Sequence, residues 1–316
     1  MSDLKIVHFS STPLVDSPGK ISLTQRMQGD DSICFMASDY PKNSPLYKFF
    51  SNNTILICKE NLDFFKYKIN CADIIHIHNY IEKKWLDLIV SLNTSAKLIY
   101  QVHSPLREGP LYYPREFDTV FDVHLTVAQH WSRFYPGYIP VPNLILEPPS
   151  IRERAKGEKL KVLFSPTHKH SGRWTDKHTP GLEELLSLMH KSKLIDFYKP
   201  PKAIPPIELN MIRKNSDITI DEIQTGGFHM VSLEGLAFGN IVVNNADYFA
   251  KETYRSVSGE VPPFHRNDID TIYSFLVGLS GDIELTNKLK IESVSYFKNY
   301  CNPMQLIKVF NRVYEK

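Results

Sequence analysis

The sequence predicts an α/β protein with two domains, each built on a parallel β-sheet. The chain has 316 residues, about twice the usual size of one domain. In both halves short apolar segments alternate with longer amphipathic ones, as strands and helices do around a parallel sheet. A proline-rich stretch, YIPVPNLILEPPS, lies near the middle of the chain and favours a linker there. We therefore predict one domain over 1–150 and a second over 151–316.

The first half carries six apolar segments and three amphipathic ones. The predicted strands are Lys5–Phe9, Ser32–Met36, Thr54–Cys58, Asp73–His78, Lys97–His103 and Val123–Val127. The predicted helices are Ile21–Met27, Leu62–Lys68 and Ile81–Leu92. This alternation is typical of a Rossmann-like domain.

The second half repeats the plan. Its predicted strands are Lys161–Ser165, Ile195–Tyr198, Ile218–Ile220 and Asn240–Asn244. Predicted helices are Leu182–Lys191, one that begins near Phe228, and three segments after about Asp268 that form a helical C-terminus. Because ligands bind at the carboxyl ends of parallel strands, two such domains predict an interdomain cleft as the site.

Composition and missing motifs exclude several classes of function. Lys and Arg total 37 against 35 Asp and Glu, so the net charge of +2 predicts no nucleic-acid partner. The sequence has no GxGxxG, GxxxxGK[ST] or HExxH motif. No apolar run approaches the roughly 20 residues of a membrane span, and the first residues do not resemble a secretory leader. We expect a cytoplasmic protein with no transmembrane segment, and peripheral membrane contact stays open.

Three groups of residues raise the question of a metal. His76 and His78 lie on one strand face without a visible third ligand, and further histidines stand at positions 168, 170 and 178. A loop that grips a diphosphate also uses such hydrogen-bond donors. Asp268 and Asp270 form a DxD sequence, but they precede an apolar-periodic segment, where a helix cap is expected. We predict no metal and no cofactor.

The segment from Asp221 to Asn245, DEIQTGGFHMVSLEGLAFGNIVVNN, carries the clearest chemistry. Gly226 and Gly227 allow the backbone to approach a ligand, and a helix start at Phe228 offers N–H groups to a diphosphate. Glu234, two turns later, suits a pair of ribose hydroxyls. Gly235 and Gly239 permit close packing of that helix.

These residues resemble a known family. Glu234–Gly239 (EGLAFG), after a Gly-Gly-Phe turn, resembles the nucleotide-sugar motif of GT-B glycosyltransferases, especially the retaining family 4. Asp73–His78 (DIIHIH) resembles the family's D-[IV]-[IV]-H-x-H strand, and Leu98–His103 the next strand with its terminal histidine. Leu125–His130 and Val141–Asn143 resemble its V-S-E and V-I-P-N-G segments. The resemblance spans about residues 1–250 and implies a GT-B fold with a nucleoside diphosphate sugar as donor.

The resemblance also implies roles for residues in loops. Arg173 and Lys177, after the first strand of the second domain, match the basic pair that offsets the charge of the departing diphosphate, and Thr167 is a substrate contact in that loop. His103 would contact the sugar or the reacting centre. Arg107 would bind phosphate or acceptor. Exposed loop charges remain the alternative for the basic pair, and a structural histidine for His103.

The sequence departs from the family pattern at three places. The usual spacing of the family's basic pair is about one residue longer than that of Arg173 and Lys177, and the loop here is richer in histidine. The family's first glutamate is replaced by Gly226, and Glu222 or Gln224 is a candidate substitute. The glycine-rich turn after the first strand is reduced to Ser17-Pro18-Gly19-Lys20, which leaves Gly19 alone to approach a substrate.

The leading prediction is a metal-independent, retaining glycosyltransferase. It would move a sugar from a nucleoside diphosphate to a glycan or lipid-linked acceptor held by the N-terminal domain, in bacterial surface polysaccharide synthesis. Two alternatives remain open. A nucleotide-sugar epimerase needs acid and base carboxylates, and no convincing pair is visible. A non-catalytic sugar or nucleotide-binding module fits the loss of the glutamate at Gly226.

Overall fold

The computed structural model describes residues 4–39, 54–103, 119–129, 133–166, 179–201 and 204–315. The chain forms two compact units. The first unit comprises Met1–Leu144 and Pro303–Lys316, and the second comprises Ile145–Asn302. Each unit contains one sheet, all of whose strand pairs are parallel. The predicted α/β class with two Rossmann-like domains is confirmed.

The first unit contains a seven-stranded sheet in the order β3-β2-β1-β4-β5-β6-β7. Its strands are β1 (Lys5–Ser10), β2 (Asp31–Met36), β3 (Thr54–Leu56), β4 (Ile74–His78), β5 (Lys97–Val102), β6 (Val123–Val127) and β7 (Ile139–Val141). The first six follow the doubly wound strand order of dinucleotide-binding folds. Strands β1 to β3 are added towards one edge of the sheet and β4 to β6 towards the other, so the order reverses between β1 and β4.

The two faces of this sheet differ in chemistry. Its helices are α1 (Ser17–Gln28), α2 (Leu62–Asn70), α3 (Lys83–Leu92) and α10 (Pro303–Tyr314). One face is apolar and packs against α2 and α3, with Phe9, Ile77 and Tyr100 in the core. The other face carries His8 and His76 and meets side chains of α1 and α10. A histidine-bearing sheet face needs polar partners in the covering helices, because buried polar groups are stable only when hydrogen-bonded.

The last helix belongs to the first unit, which differs from the predicted boundary at 150/151. In α10, Ile307 and Phe310 are fully buried. The Tyr314 hydroxyl lies 2.8 Å from His76 Nδ1 and accepts a hydrogen bond from Gln25 Nε2 at 3.2 Å. The apolar periodicity of a helix predicts that one face is covered, but it does not predict which sheet provides the cover.

The second unit contains a five-stranded sheet in the order β12-β11-β10-β8-β9. Its strands are β8 (Leu160–Phe164), β9 (Ile195–Tyr198), β10 (Ile218–Ile220), β11 (Ile241–Asn244) and β12 (His265–Arg266). Its helices are α4 (Leu182–Lys191), α5 (Pro206–Lys214), α6 (Met230–Ala237), α7 (Tyr248–Ser258), α8 (Ile272–Gly281) and α9 (Ile283–Tyr300). The strand order is that of flavodoxin-like sheets, with the reversal between β8 and β10.

Two strands, β7 and β12, and two helices, α5 and α7, were not predicted. Strand β7 lies inside the expected linker. Helix α5 begins at the second residue of Pro205-Pro206, and Asn244-Asn245 lies shortly before the start of α7. Prolines and asparagines indicate loops, yet proline is also favourable at the first position of a helix.

The Asp268 carboxylate accepts hydrogen bonds from the Thr271 N–H and hydroxyl at 3.0 and 2.8 Å, consistent with a turn at a helix start. In the part of the chain that the structure describes, no helix is both long and apolar enough to span a bilayer.

Gly235 allows α6 to lie directly on the second sheet. A methyl group at this position would be 2.9 Å from Val242 Cγ2 and 3.2 Å from Thr219 Cβ. We expect Gly235→Ala to lower the free energy of unfolding by about 1–3 kcal/mol, since both neighbours are fully buried. Gly278→Ala is the control, because a methyl group there meets no atom within 4 Å and alanine favours helices. Urea denaturation measures both, and equal effects at the two positions would contradict this packing.

Candidate functional site

Strand order predicts where each sheet binds a ligand. In open parallel sheets, ligands bind beyond the carboxyl ends of the strands on either side of the reversal. In the first unit these ends are Ser10 of β1 and His78 of β4, and in the second they are Phe164 of β8 and Ile220 of β10. The residues singled out from sequence follow these strands or the neighbouring ones. The two regions are described separately.

The loop after β10 is held in shape by two carboxylates. Asp221 accepts hydrogen bonds from the His229 N–H at 2.6 Å and the Ser232 hydroxyl at 2.8 Å. Burial alone would raise the pKa of Asp221, but the charge of His229 and these hydrogen bonds hold that pKa below its usual value. Glu222 accepts hydrogen bonds from the N–H groups of Gln224 and Thr225 and from the Thr225 hydroxyl.

The structure identifies a different carboxylate beside the missing family glutamate. Glu222 was a candidate substitute, but both its oxygens already bind this loop. Gly226 has a φ of +78°, and a Cβ built on it would lie 3.0 Å from Asp247 Oδ2. Asp247 N also donates to Gly226 O at 2.9 Å. The acidic group beside position 226 is therefore Asp247, which begins α7 and comes 21 positions later in the chain.

Phe228 is not placed as predicted. Helix α6 begins at Met230, with His229 as its N-cap, rather than at Phe228. The Phe228 side chain is fully buried, with its ring centroid 4.8 Å from Phe264 and 5.5 Å from Tyr254. An aromatic ring is stabilised more by burial than by exposure, so this side chain belongs to the core. Only the backbone of Phe228 remains available to a ligand, next to Gly227.

Glu234 is paired with a residue that the sequence did not single out. Its Oε2 lies 2.7 Å from Nη2 of Arg213 at the end of α5. The Arg213 side chain is 2% exposed and that of Glu234 is 13% exposed. Arg213 also donates to Asn210 Oδ1 at 2.8 Å. A buried guanidinium needs a nearby carboxylate, so Arg213 fixes the position of Glu234.

In the first unit, His103 directly follows β5 and is held from two sides. Its N–H donates to Asn79 Oδ1 at 2.6 Å, and its ring Nε2 lies 2.9 Å from His78 Nδ1. Asn79 follows β4 with a φ of +55°, and its own N–H donates to Gln101 O at 2.8 Å. Asparagine tolerates this left-handed backbone better than most residues. His103 therefore stands at the strand edge where sequence reasoning placed it.

Four histidines on this face are neutral near pH 7. Burial lowers the pKa of His8 to about 4 and that of His103 to about 3. Burial and neighbouring histidines hold the pKa values of His76 and His78 well below their usual range. The cause is that a buried imidazolium loses hydration and gains no anionic partner.

The histidine face also offers a set of metal-ligand atoms. One ring nitrogen from each of His8, His76 and His78 lies within 4.8 Å of the others. Two of these nitrogens, His8 Nδ1 and His78 Nε2, already lie 2.9 Å apart as a hydrogen-bonded pair. His76 Nδ1 lies 2.8 Å from the Tyr314 hydroxyl, whereas His76 Nε2 is buried without a hydrogen-bond partner among the described residues. The prediction of no metal stays a prediction.

Gly19 lies in the first turn of α1 and is buried. The turn that leads to it is strained, because Leu14, Val15 and Asp16 have φ values of +50°, +55° and +60°. The Ser17 hydroxyl donates to Asn143 Oδ1 at 3.0 Å. The Val-Pro-Asn segment singled out from sequence thus supports the start of α1.

Four of the predicted contacts lie outside the described residues. They are Arg107, Thr167, Arg173 and Lys177, and the histidines at 168, 170 and 178 lie outside them too. Sequence reasoning missed Arg213, Asp247, Gln25 and Tyr314 because each reaches the site from a distant part of the chain. For Gln25 the sequence offered one signal, the polar residues Ser22, Thr24 and Gln25 on a helix that is buried at these positions.

No sequence-family profile matches this chain, and no curated protein sequence matches it either. Solved structures do match over nearly its whole length. An α-glucosyltransferase in complex with UDP-glucose and DNA containing an abasic site has a TM-score of 0.66 at 12% identity, covering 98% of this chain and 99% of that one. Anabaena Alr3699/HepE in complex with UDP and glucose has a TM-score of 0.61 at 10% identity, covering 98% and 99%.

A glycosyltransferase from Rickettsia africae has a TM-score of 0.59 at 12% identity and covers 100% of this chain and 98% of its own. At these identities the likeness establishes a shared fold, that of two Rossmann-like domains in the GT-B arrangement of strands. The predicted GT-B fold is confirmed.

Proposed function

We propose that this chain is a glycosyltransferase that uses a UDP-sugar as donor. The proposal is carried by the loop from Asp221 to Gly227, together with Glu234, which lies where the strand order of the second sheet reverses. The chain also shares its fold with enzymes whose structures contain UDP or UDP-glucose. Sequence alone left the nucleoside base open. Those complexes favour uridine.

In this proposal the second unit holds the nucleotide. Gly226 and Gly227 allow the backbone to come close to the diphosphate. The Gly227 N–H, which donates to the Thr225 hydroxyl at 3.3 Å, would exchange that weak contact for a phosphate oxygen. Glu234 accepts hydrogen bonds from the ribose hydroxyls while Arg213 holds it in place. Arg173 and Lys177 offset the negative charge of the departing UDP, and Thr167 lies in the same loop.

In the first unit, His103 contacts the donor sugar as a hydrogen-bond acceptor. A general base works best with a pKa near the working pH, and the pKa of His103 is about 3. A neutral imidazole at this position therefore orients a sugar hydroxyl rather than removing its proton. Arg107 binds phosphate or acceptor, and Gly19 leaves space beside α1.

The finer features of the proposal rest on the resemblance to family 4. We propose transfer with retention, without a tightly bound metal, to a glycan or lipid-linked acceptor in bacterial surface polysaccharide synthesis in the cytoplasm. The small net charge of +2 supports a carbohydrate acceptor over a nucleic acid.

A second function is favoured by one observation. Gly226 replaces the family glutamate, so a non-catalytic UDP-sugar-binding module fits the same site. Slow hydrolysis of the donor in the absence of acceptor separates the two. Release of UDP that depends on His103 supports a transferase, whereas tight donor binding without turnover supports the binding module. Conversion of the free donor to an epimer would identify the third alternative.

The first experiment is thermal stabilisation by UDP, GDP, dTDP, CDP and CMP, each with and without magnesium. A ligand that binds only the native state stabilises it by about 2.7 kcal/mol at a hundred times its Kd. We expect UDP to raise the Tm, CMP to have no effect, and magnesium to change neither result. Equal shifts for all five nucleotides, or none for any, would contradict the proposed donor.

A further inference from the structure

A chain of buried hydrogen bonds runs across the polar face of the first sheet. Gln25 Oε1 lies 2.8 Å from His8 Nε2, and His8 Nδ1 lies 2.9 Å from His78 Nε2. His78 Nδ1 lies 2.9 Å from His103 Nε2. Gln25, His8 and His78 are fully buried. The chain thus joins α1 to three neighbouring strands and ends at the carboxyl edge of the sheet.

The direction of these hydrogen bonds is set at the Gln25 end. An amide oxygen only accepts, so His8 must carry its proton on Nε2. A neutral imidazole has one N–H, so His8 Nδ1 then accepts from His78 Nε2–H. By the same rule His78 Nδ1 accepts from His103 Nε2–H. The last nitrogen, His103 Nδ1, is left as an acceptor.

The Gln25 amide makes two further contacts in this orientation, both with hydroxyl groups. The Ser32 hydroxyl donates to Gln25 Oε1 at 2.7 Å, and Gln25 Nε2 donates to the Tyr314 hydroxyl at 3.2 Å. The Tyr314 hydroxyl also lies 2.8 Å from His76 Nδ1, and either atom of this pair can be the donor. The C-terminal helix α10 is thereby part of the arrangement that orients Gln25.

We propose that Gln25, His8 and His78 are positioning residues that hold His103 in the Nε2–H tautomer, so that His103 presents Nδ1 as a hydrogen-bond acceptor to a hydroxyl of the sugar substrate. The role of the acceptor rests on the proposed function, whereas the tautomer does not. A free histidine exchanges its N–H between two nitrogens, and this chain removes that choice. A sugar hydroxyl that donates a hydrogen bond therefore meets the lone pair of His103 Nδ1 in every protein molecule.

Energetic considerations support a fixed chain. Reversing one member leaves two N–H groups or two lone pairs facing each other in a buried place, which costs about 1–3 kcal/mol for the unsatisfied group. The four imidazoles stay neutral because burial lowers their pKa values. No member therefore gains a second N–H that would interrupt the direction.

The direct test is nitrogen NMR of the full chain labelled with ¹⁵N-histidine at pH 7.5. The His103 signals are assigned by their loss in His103→Gln. We expect Nε2 of His103 to carry the proton and Nδ1 to resonate at the low-field position of an unprotonated nitrogen. The opposite assignment, or averaged signals for the two nitrogens, would overturn the proposal.

Substitutions of Gln25 test the origin of the direction. Gln25→Met keeps the volume but removes the acceptor, and we expect the His103 signals to move towards a mixture of tautomers. Thr24→Val is the matched control, because Thr24 is equally buried on α1 and its hydroxyl bonds only to Lys20 O. A change in Thr24→Val as large as in Gln25→Met would overturn the proposal.

Two further readouts separate this proposal from its alternatives. In an assay with donor and acceptor, Gln25→Met should lower kcat on the order of tenfold, with little change in KM for the donor. This loss is smaller than the loss from a complete change of tautomer, because a mixture still contains the correct tautomer. Failure of every transferase assay would contradict the proposed function and leave the NMR result to decide the tautomer. Stoichiometric zinc in the purified protein would overturn the hydrogen-bond chain, since a metal takes the lone pairs that the chain needs.

Discussion

The first unit is expected to lose its stability sharply between pH 7 and pH 5. His8 and His103 have native pKa values of about 4 and 3, whereas in an unfolded chain each titrates near 6.5. Below pH 6.5 the unfolded state therefore binds protons that the native state does not, and stability falls as the pH falls. These two residues alone lower the free energy of unfolding by about 4 kcal/mol between pH 7 and pH 5.

His76 and His78 add to this loss, because their native pKa values are also depressed by burial. Their contribution has the same sign, since each binds a proton more readily in the unfolded chain. Urea denaturation at pH 7, 6 and 5, followed by hydrogen exchange of peptides from the first unit, measures the effect. The second unit provides a comparison with fewer such groups, since among the described histidines with a lowered pKa it contains His265 whereas the other four belong to the first unit.

One substitution isolates a single member of the group. We expect His76→Phe to reduce the slope of stability against pH by about 1.4 kcal/mol per pH unit below 6.5, whatever it does to stability at pH 7. His190→Gln is the control, because His190 lies on the surface of α4 with half of its side chain exposed. A slope that is unchanged in His76→Phe would show that this histidine binds a proton in the native state.

The second large effect concerns Glu234. We expect Glu234→Gln to weaken UDP binding by roughly 10- to 150-fold, the loss of one hydrogen bond to a charged group. The same substitution leaves the Arg213 guanidinium buried without a carboxylate, which costs about 3 kcal/mol of stability. A weakened Kd in this variant alone would therefore have two explanations.

The double variant distinguishes them. Arg213→Met removes the buried charge, so Glu234→Gln with Arg213→Met should recover most of the stability but none of the affinity. Arg213→Met alone retains the carboxylate and should bind UDP more tightly than the double variant does. Calorimetric titration with UDP and urea denaturation of all four proteins complete the cycle. Wild-type affinity in the double variant would show that Glu234 serves only as the partner of Arg213.

Most strands were predictable because burial on both faces of a parallel sheet leaves a continuous apolar run. Strands such as Val123–Val127 and Ile195–Tyr198 match their predicted bounds. Helix α7 was missed because its first turn follows Asn244-Asn245, a sequence that indicates a loop. The helix cap is Asp247, two residues after this pair, whose carboxylate accepts a hydrogen bond from Ala250 N at 2.9 Å.

The predicted site residues stay a prediction, and the structure adds partners that the sequence did not indicate. His103 and Glu234 were predictable because each follows a recognisable strand or glycine motif. Arg213 and Asp247 were not, because they lie 21 and 13 positions from Glu234 and no local spacing relates them to it. The predicted helix start at Phe228 lies two residues before the observed start at Met230, and the sequence near Gly227 did not show that the Phe228 ring is buried.

The sequence by itself determined the elements and their class, because apolar periodicity and glycine positions act within a few residues of the chain. It also determined that histidines stand on β1, β4 and at the end of β5. Only the tertiary structure decided that these rings meet, that Gln25 of α1 sets the direction of their hydrogen bonds, and that the C-terminal helix returns to cover them. The physical reason is that a hydrogen-bond direction and a buried pKa depend on groups far apart in sequence, which only the folded chain brings within 3 Å.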